Sequence, residues 1–291
     1  MGTATTGARL LDARDLVVEF PVKGWRKPPF RALNGVSIDI RPGETLGLVG
    51  ESGSGKTTLG RAILGLVPIA SGGIEFAGRD ISHLGARQRR ALSTDIQVVF
   101  QDPYSSLNPA MTIGEILGEP LSVQPQGRAE AERRVQQLLD AVDLPADAEH
   151  RYPREFSGGQ RQRVAIARAL ALDPKLIVCD EPVSALDLST QSRVLDLLIE
   201  IQERTGVSYL FISHDLSVVR AISHRVAVMY RGDIVEIGDG DTITSNPHHA
   251  YSKRLLMAAP IADPIMQRDR RAARRRFLDS QMLITQQQEA M

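Results

Sequence analysis

Short apolar runs separated by glycine- and proline-bearing turns set the pattern along this chain. Leu16-Val17-Val18-Glu19-Phe20 reads as a strand, and Val36-Ser37-Ile38-Asp39-Ile40 alternates as a half-buried strand does. Pro42-Gly43 predicts a turn with proline second and glycine third. Thr45-Leu46-Gly47-Leu48-Val49 follows as a buried strand, and Thr58 to Leu64 as a helix. Ile74 to Ala77 is a short strand bracketed by Gly72-Gly73 and Gly78, and Asp95 to Phe100 is another that ends on Gln101. Leu176-Ile177-Val178-Cys179 is wholly apolar, as expected of a strand covered on both faces. A helix over Ser189 to Arg204, N-capped by Asp187, leads to a strand over Ser208 to Ile212. Arg225 to Tyr230 and Asp233 to Ile237 predict a hairpin around Arg231-Gly232.

Between these strands the period changes. From Pro103 to about Phe156, a stretch including Pro120 and Pro125, the chain reads as an inserted helical lobe. Its helix Ala129 to Val142 sets Val135, Leu138, Leu139 and Val142 on one face, with Arg133, Arg134, Gln136 and Gln137 opposite. Further helices are expected over Val164 to Leu172 and Tyr251 to Ala259. Residues 1–11 read as disordered, and the basic run Arg268 to Arg276 as a solvated helical face, with anionic headgroups the alternative partner.

Composition narrows the function classes. The 291 residues suffice for one large domain or two smaller ones, and 35 basic against 35 acidic residues advertise no nucleic-acid partner. The single cysteine, Cys179, allows no intrachain disulfide and no multi-cysteine zinc or iron–sulfur site. The N-terminus lacks an apolar segment behind a basic one, so no secretory signal is expected. No apolar run approaches ~18 residues, so a role at a membrane would be that of a peripheral subunit.

The chemistry centres on Gly50-Glu51-Ser52-Gly53-Ser54-Gly55-Lys56-Thr57, a glycine-rich loop closed by a lysine and a hydroxyl. Its glycines let backbone N–H groups turn toward a polyphosphate, Lys56 reaches the outer phosphates and the Thr57 hydroxyl suits Mg²⁺. A strand before the loop and a helix after it give the setting such a loop needs. Gln101, at a strand's carboxyl end, could meet both Mg²⁺ and an attacking water. Asp180 is placed to hold Mg²⁺ through water, Glu181 to orient or deprotonate the nucleophile, and His214 to donate to a γ-phosphate. His224 and His150 lack such a setting and read as surface residues. Phe20 is the first choice for stacking on adenine, with Trp25 and Phe30 as alternatives and a plain core role for Phe20 the competing reading. Ser157-Gly158-Gly159-Gln160 before a helix is a second anion-binding arrangement. One triphosphate needs one cradle, so a second predicts a composite site shared by two chains.

The order of these pieces resembles the ATP-binding cassette subunits of membrane transporters over about residues 12 to 260. Gly50–Thr57 with Thr58 is similar to the Walker A loop, Gln101 to the Q-loop and Ser157–Gln160 to the signature motif. Leu176–Glu181 resembles Walker B, Ser184–Asp187 the D-loop and His214 the switch histidine. Gln101 to Pro109, Asn246 to Tyr251 and Leu255 to Pro260 resemble the dipeptide/oligopeptide importer subgroup. Phe156 stands where leucine is usual and Ala250 where proline is frequent. The resemblance implies an α/β P-loop NTPase (RecA-like) core, an antiparallel β subdomain and an inserted helical subdomain at about 103–165, together spanning 12–240. A C-terminal extension at 241–291 would follow. It also implies ATP and Mg²⁺ as ligands, with Phe20, Ser52, Ser54, Thr58 and Asp187 among the nucleotide contacts. Ser157 and Gly159 would touch the γ-phosphate held by a second ATPase chain, in a heterodimer more than a homodimer. Two multi-span permeases and an extracytoplasmic solute-binding protein would complete an importer. A soluble cassette clamp like those of phosphonate metabolism is the competing reading, and nickel or oligosaccharide are the competing solutes.

Overall fold

The computed structural model describes residues 8–22, 24, 28–123 and 127–258. Trp25, Pro125, Ala259, Pro260 and the basic run Arg268 to Arg276 lie outside the described residues. In chain order, β1 (Leu11–Phe20) and β2 (Phe30–Ile40) pair antiparallel, and β3 (Thr45–Val49) runs into α1 (Lys56–Ile63). There follow β4 (Ser71–Phe76), β5 (Arg79–Asp80), α2 (Ala86–Leu92) and β6 (Ile96–Val99). The stretch after β6 is helical: α3 (Pro103–Ser106), α4 (Ile113–Gly118), α5 (Arg128–Ala141) and α6 (Gly158–Leu170). Next come β7 (Leu176–Asp180), α7 (Leu188–Thr205), β8 (Ser208–Ser213) and α8 (Leu216–Ile222). The hairpin β9 (Arg225–Tyr230) and β10 (Asp233–Asp239) leads to α9 (Gly240–Ser245) and α10 (Ala250–Ala258).

Two sheets result. One is antiparallel, in the order β2-β1-β4-β5; the other runs β10-β9-β3-β8-β7-β6 and is parallel apart from β10. The central strands of the second, β3, β8 and β7, are largely apolar and almost wholly buried, as strands covered on both faces are. Alternation divides them cleanly. Leu46, Leu48, Leu176, Val178, Leu210 and Ile212 join a core with α1 and the antiparallel sheet. Their neighbours Val49, Ile177, Cys179, Tyr209 and Phe211 join a second core with the helical lobe, α7 and α8. Val135, Leu138, Leu139 and Val142 are buried in that second core, so the amphipathic helix packs on its own chain. Its opposite face is not purely solvated: Arg134 donates to the Leu170 carbonyl at 3.0 Å and caps the end of α6.

Several expectations change. Of residues 1–11, read as disordered, 1–7 lie outside the described residues, but Leu10 and Leu11 are buried, and Leu10 donates its N–H to the Ile40 carbonyl and accepts the Ala77 N–H. Two consecutive leucines where β1 enters between β2 and β4 gain more from burial than a solvated tail would. The helix expected from Val164 begins at Gly158 instead. Ser157 and Gln160 form a capping box there, outweighing the poor helix propensity of two glycines. Gly72 and Gly73 lie inside β4 rather than before it. His224 is exposed, as expected, but its Nδ1 accepts the Thr45 N–H at 3.0 Å and so ties β3 to the segment before β9. The Pro42-Gly43 turn is present, with Gly43 at φ 71° and Glu44 donating to the Arg41 carbonyl at 3.1 Å.

Candidate nucleotide site

Four parallel strands present their carboxyl ends side by side. Val49 pairs with Ser213, Asp180 with Ile212 and Val99 with Cys179. Gly50, His214, Glu181 and Gln101 are therefore among the first residues beyond the ends of β3, β8, β7 and β6. That is the edge of an open sheet at which α/β proteins bind ligands.

The loop after β3 is shaped by close approach. A Cβ on Gly50 would lie 2.2 Å from the Met229 carbonyl oxygen. Gly55 takes φ 112° as α1 begins, and a Cβ there would lie 2.8 Å from the Ala32 carbonyl oxygen. Among the described residues no side chain caps α1, so the N–H groups of its first turn are open to an anion. Lys56 is 4% exposed and donates to the carbonyls of Gly50 (2.7 Å) and Glu51 (2.9 Å). Burial lowers its pKa, against the pull of Glu181, Asp180 and Glu51. The loop is also held from outside. Gly232 donates to the Ser54 carbonyl at 2.8 Å, and the Tyr251 hydroxyl accepts the Glu51 N–H at 2.9 Å.

The carboxylates beyond β7 diverge in role. Asp180 accepts from the Thr57 hydroxyl at 3.0 Å. Burial raises its pKa, and Glu181 adds to the rise while the Thr57 bond, Arg61 and Lys56 oppose it. Glu181 adopts φ 51° and still donates its N–H to the Ile212 carbonyl at 2.9 Å. Its Oε2 lies 3.0 Å from His214 Nδ1 and accepts from Gln101 Nε2 at 3.3 Å. Sequence reasoning assigned Gln101, Glu181 and His214 separate tasks; the fold brings them onto one carboxylate oxygen. The hard oxygen donors of Thr57 and Asp180 suit Mg²⁺, and the uncapped helix with Lys56 suits a polyphosphate, so the residues present fit both groups.

Beside the loop is a depression of about 350 Å³, bounded by Phe20, Phe30, Ser52, Thr58, Gln101 and Glu181 among others. Phe20 and Phe30 pair directly across β1 and β2 and are 37% and 60% exposed, so the core reading of Phe20 is overturned. Both rings line one mouth, where either could meet a base.

The second anion-binding arrangement lies elsewhere. None of Ser157, Gly158, Gly159, Gln160 or Asp187 lines that depression. A Cβ on Gly159 would lie 2.3 Å from Thr190 Cγ2, and the Thr190 hydroxyl is pinned to Asp187 at 2.7 Å. Ser189 and then Thr190 hold the Asp187 carboxyl well below the usual range. The start of α6 thus rests against the start of α7. Sequence reasoning missed Tyr251, Gly232 and the stack of the Arg161 guanidinium on the Tyr104 ring at 3.9 Å. The S-x-x-Q spacing of the capping box was the only local signal among these features.

Comparison with known proteins agrees with this geometry. Residues 33–184 match the family described as ABC transporter. The glutathione import ATP-binding protein GsiA of Salmonella paratyphi A is 49% identical over 274 residues, covering 92% of this chain and 44% of that protein. The oligopeptide transport ATP-binding protein OppD of Mycobacterium tuberculosis is 53% identical over 234 residues, covering 80% of this chain and 38% of that one. The chain thus spans less than half the length of these curated relatives. Among solved structures, the dimeric ATP-binding cassette MJ0796 in a post-hydrolysis state with ADP and Pi superposes with a TM-score of 0.71 at 28% identity, covering 79% of this chain and 98% of that one. The cbiO1 subunit of the Clostridium perfringens cbiONQ transporter gives 0.74 at 26% identity, over 82% and 91%.

Proposed function

Because the chain belongs to the ABC transporter family, we propose that it is an ATP-hydrolysing subunit of an importer for di- and oligopeptides. One observation carries the reading: Glu181, at the end of a buried strand, is gripped by His214 and Gln101 beside Lys56, Thr57 and Asp180. The first-turn N–H groups of α1 and Lys56 bind the triphosphate, and Phe20 or Phe30 stacks on adenine. Thr57, Asp180 and Gln101 would hold Mg²⁺, which would supply positive charge against the phosphates. Glu181 orients and deprotonates water, Gln101 fixes the carboxylate, and His214 donates to the γ-phosphate. Ser157 to Gln160 stand apart from this chain's own depression, which supports their closing over a nucleotide held by a second ATPase chain; only the resemblance to the peptide-importer subgroup favours a different chain over a copy. Residues 12–240 form the cassette, with the helical lobe at about 103–165, and 241–291 the extension.

Among the described residues no helix is long and apolar enough to cross a membrane, which supports a peripheral place on the cytoplasmic face beneath two permeases. Exposed Phe100 and Tyr104, where the chain enters the helical lobe, would offer those permeases an apolar footing. An extracytoplasmic binding protein would deliver the solute, and the similarity to glutathione-import and oligopeptide-transport ATP-binding proteins supports a peptide. The test is to purify the tagged protein from detergent-solubilised membranes and identify its companions by mass spectrometry. Two multi-span permeases and a second cassette subunit are the expected result. Soluble enzymes alone, with the protein absent from membranes, would overturn the importer reading in favour of a soluble clamp.

A further inference from the structure

The last described helix reaches back to the phosphate loop. Tyr251, the second residue of α10, is 2% exposed, and its ring stacks on Tyr230 with centroids 4.3 Å apart. The Arg254 guanidinium lies 5.6 Å from the Tyr251 ring centre and 6.0 Å from that of Tyr230. The start of the helix is tied to β10, where the two carboxylate oxygens of Glu236 accept the N–H groups of His248 (2.6 Å) and His249 (3.1 Å). His249 Nδ1 in turn accepts the Tyr251 N–H at 3.1 Å. With its ring so fixed, Tyr251 accepts the Glu51 N–H at 2.9 Å. That N–H belongs to the Gly50–Glu51 peptide, whose carbonyl accepts Lys56 Nζ at 2.7 Å. A single peptide plane is therefore held by Tyr251 at one end and by the phosphate-binding lysine at the other. Tyr230 sits in the same hairpin as Gly232, which grips Ser54.

We propose that Tyr251 is a positioning residue for nucleotide, and that α10 clamps the phosphate loop in the shape that receives a triphosphate. The inference rests on Gly50–Thr57 being the phosphate site. A loop carrying three glycines has much freedom to lose on binding, and a clamp applied in advance removes that loss from the binding step. Burial of the ring alone would serve packing; the hydroxyl aimed at a loop amide serves the loop. Glu181, which acts on water, stands on a different strand, so the clamp governs affinity more than turnover.

The test uses the full chain with Tyr251→Phe, which keeps the ring and removes only the oxygen. Loss of one hydrogen bond predicts an Mg-ATP Kd and a KM for ATP about two- to tenfold higher, with kcat held within about twofold. Amide exchange at Glu51 to Ser54 should quicken while the central strands keep their protection. Glu236→Gln, which loosens the helix anchor without touching the loop, should shift KM the same way and serves if the first variant folds poorly. An unchanged KM in both variants, or a fall in kcat at constant KM, overturns the proposal. Wild-type protein that fails to bind Mg-ATP overturns instead the reading on which it rests.

Discussion

Lys56 and Asp180 are charges held where water would solvate them better, and each responds in its own direction. Asp180 is raised from its ordinary value of 3.8, first by burial, so the folded chain binds that proton more tightly than the unfolded one. Stability then falls as pH rises from 3.8 through the raised folded value, and the whole penalty stands above that folded value. Lys56 is lowered from 10.5 by burial, so its penalty is present below its folded pKa and is relieved as pH climbs from there toward 10.5. Asp180→Asn should accordingly raise the Tm of the nucleotide-free protein at pH 7, with the gain shrinking toward pH 4, while protection by Mg-ATP is lost. Thermal scans at the two pH values check this, and a lower Tm at pH 7 would mean that the Thr57 bond outweighs burial. Glu181→Gln keeps the shape and removes the proposed base. It should cut phosphate release about 10²- to 10⁴-fold and leave the Mg-ATP Kd near the wild-type value, as single-turnover hydrolysis and nucleotide titration would report.

Among the elements, the strands were the most legible because their neighbours repeat the same instruction. Thr45–Val49 lies where the apolar run placed it, and the hairpin turns on Arg231 and Gly232 at φ 50° and 88°. Asp187 caps α7 through the Thr190 N–H, a contact written three residues ahead. Local signals of this kind carry no information about partners far along the chain. The bond between Glu51 and Tyr251 spans 200 residues, and nothing near either residue announces it. Nor could periodicity choose between Phe20 and Phe30, since pairing across two strands puts both at one mouth. The apolar pattern marks α6 only from Val164, whereas the capping box and contact with Thr190 start it at Gly158. Buried strand side chains should be correspondingly intolerant of truncation. Ile212→Ala, at a fully buried position of β8, is expected to cost about 2–5 kcal/mol, read from the urea midpoint at constant m-value.

For the molecule as a whole, the separation of Ser157 from the loop it resembles in chemistry has a direct test. Ser157→Arg should leave the isolated chain's Mg-ATP Kd within about twofold, because the residue lines no part of the chain's own depression. Turnover in the assembled complex should nevertheless be lost, as the arginine would be driven into the facing nucleotide. A large loss of ATP affinity in the isolated chain would place the signature residues in their own site instead. The central strands add a different consequence. Successive residues on β7 and β8 face opposite cores, Val178 and Ile212 toward the antiparallel layer, Cys179 and Phe211 toward the helical lobe. A spectroscopic label walked one residue at a time along such a strand would therefore listen alternately to the two halves of the protein. If nucleotide tilts the lobe while the antiparallel layer stays still, odd and even positions of the same strand should give two distinct signals, and their difference measures the motion from within.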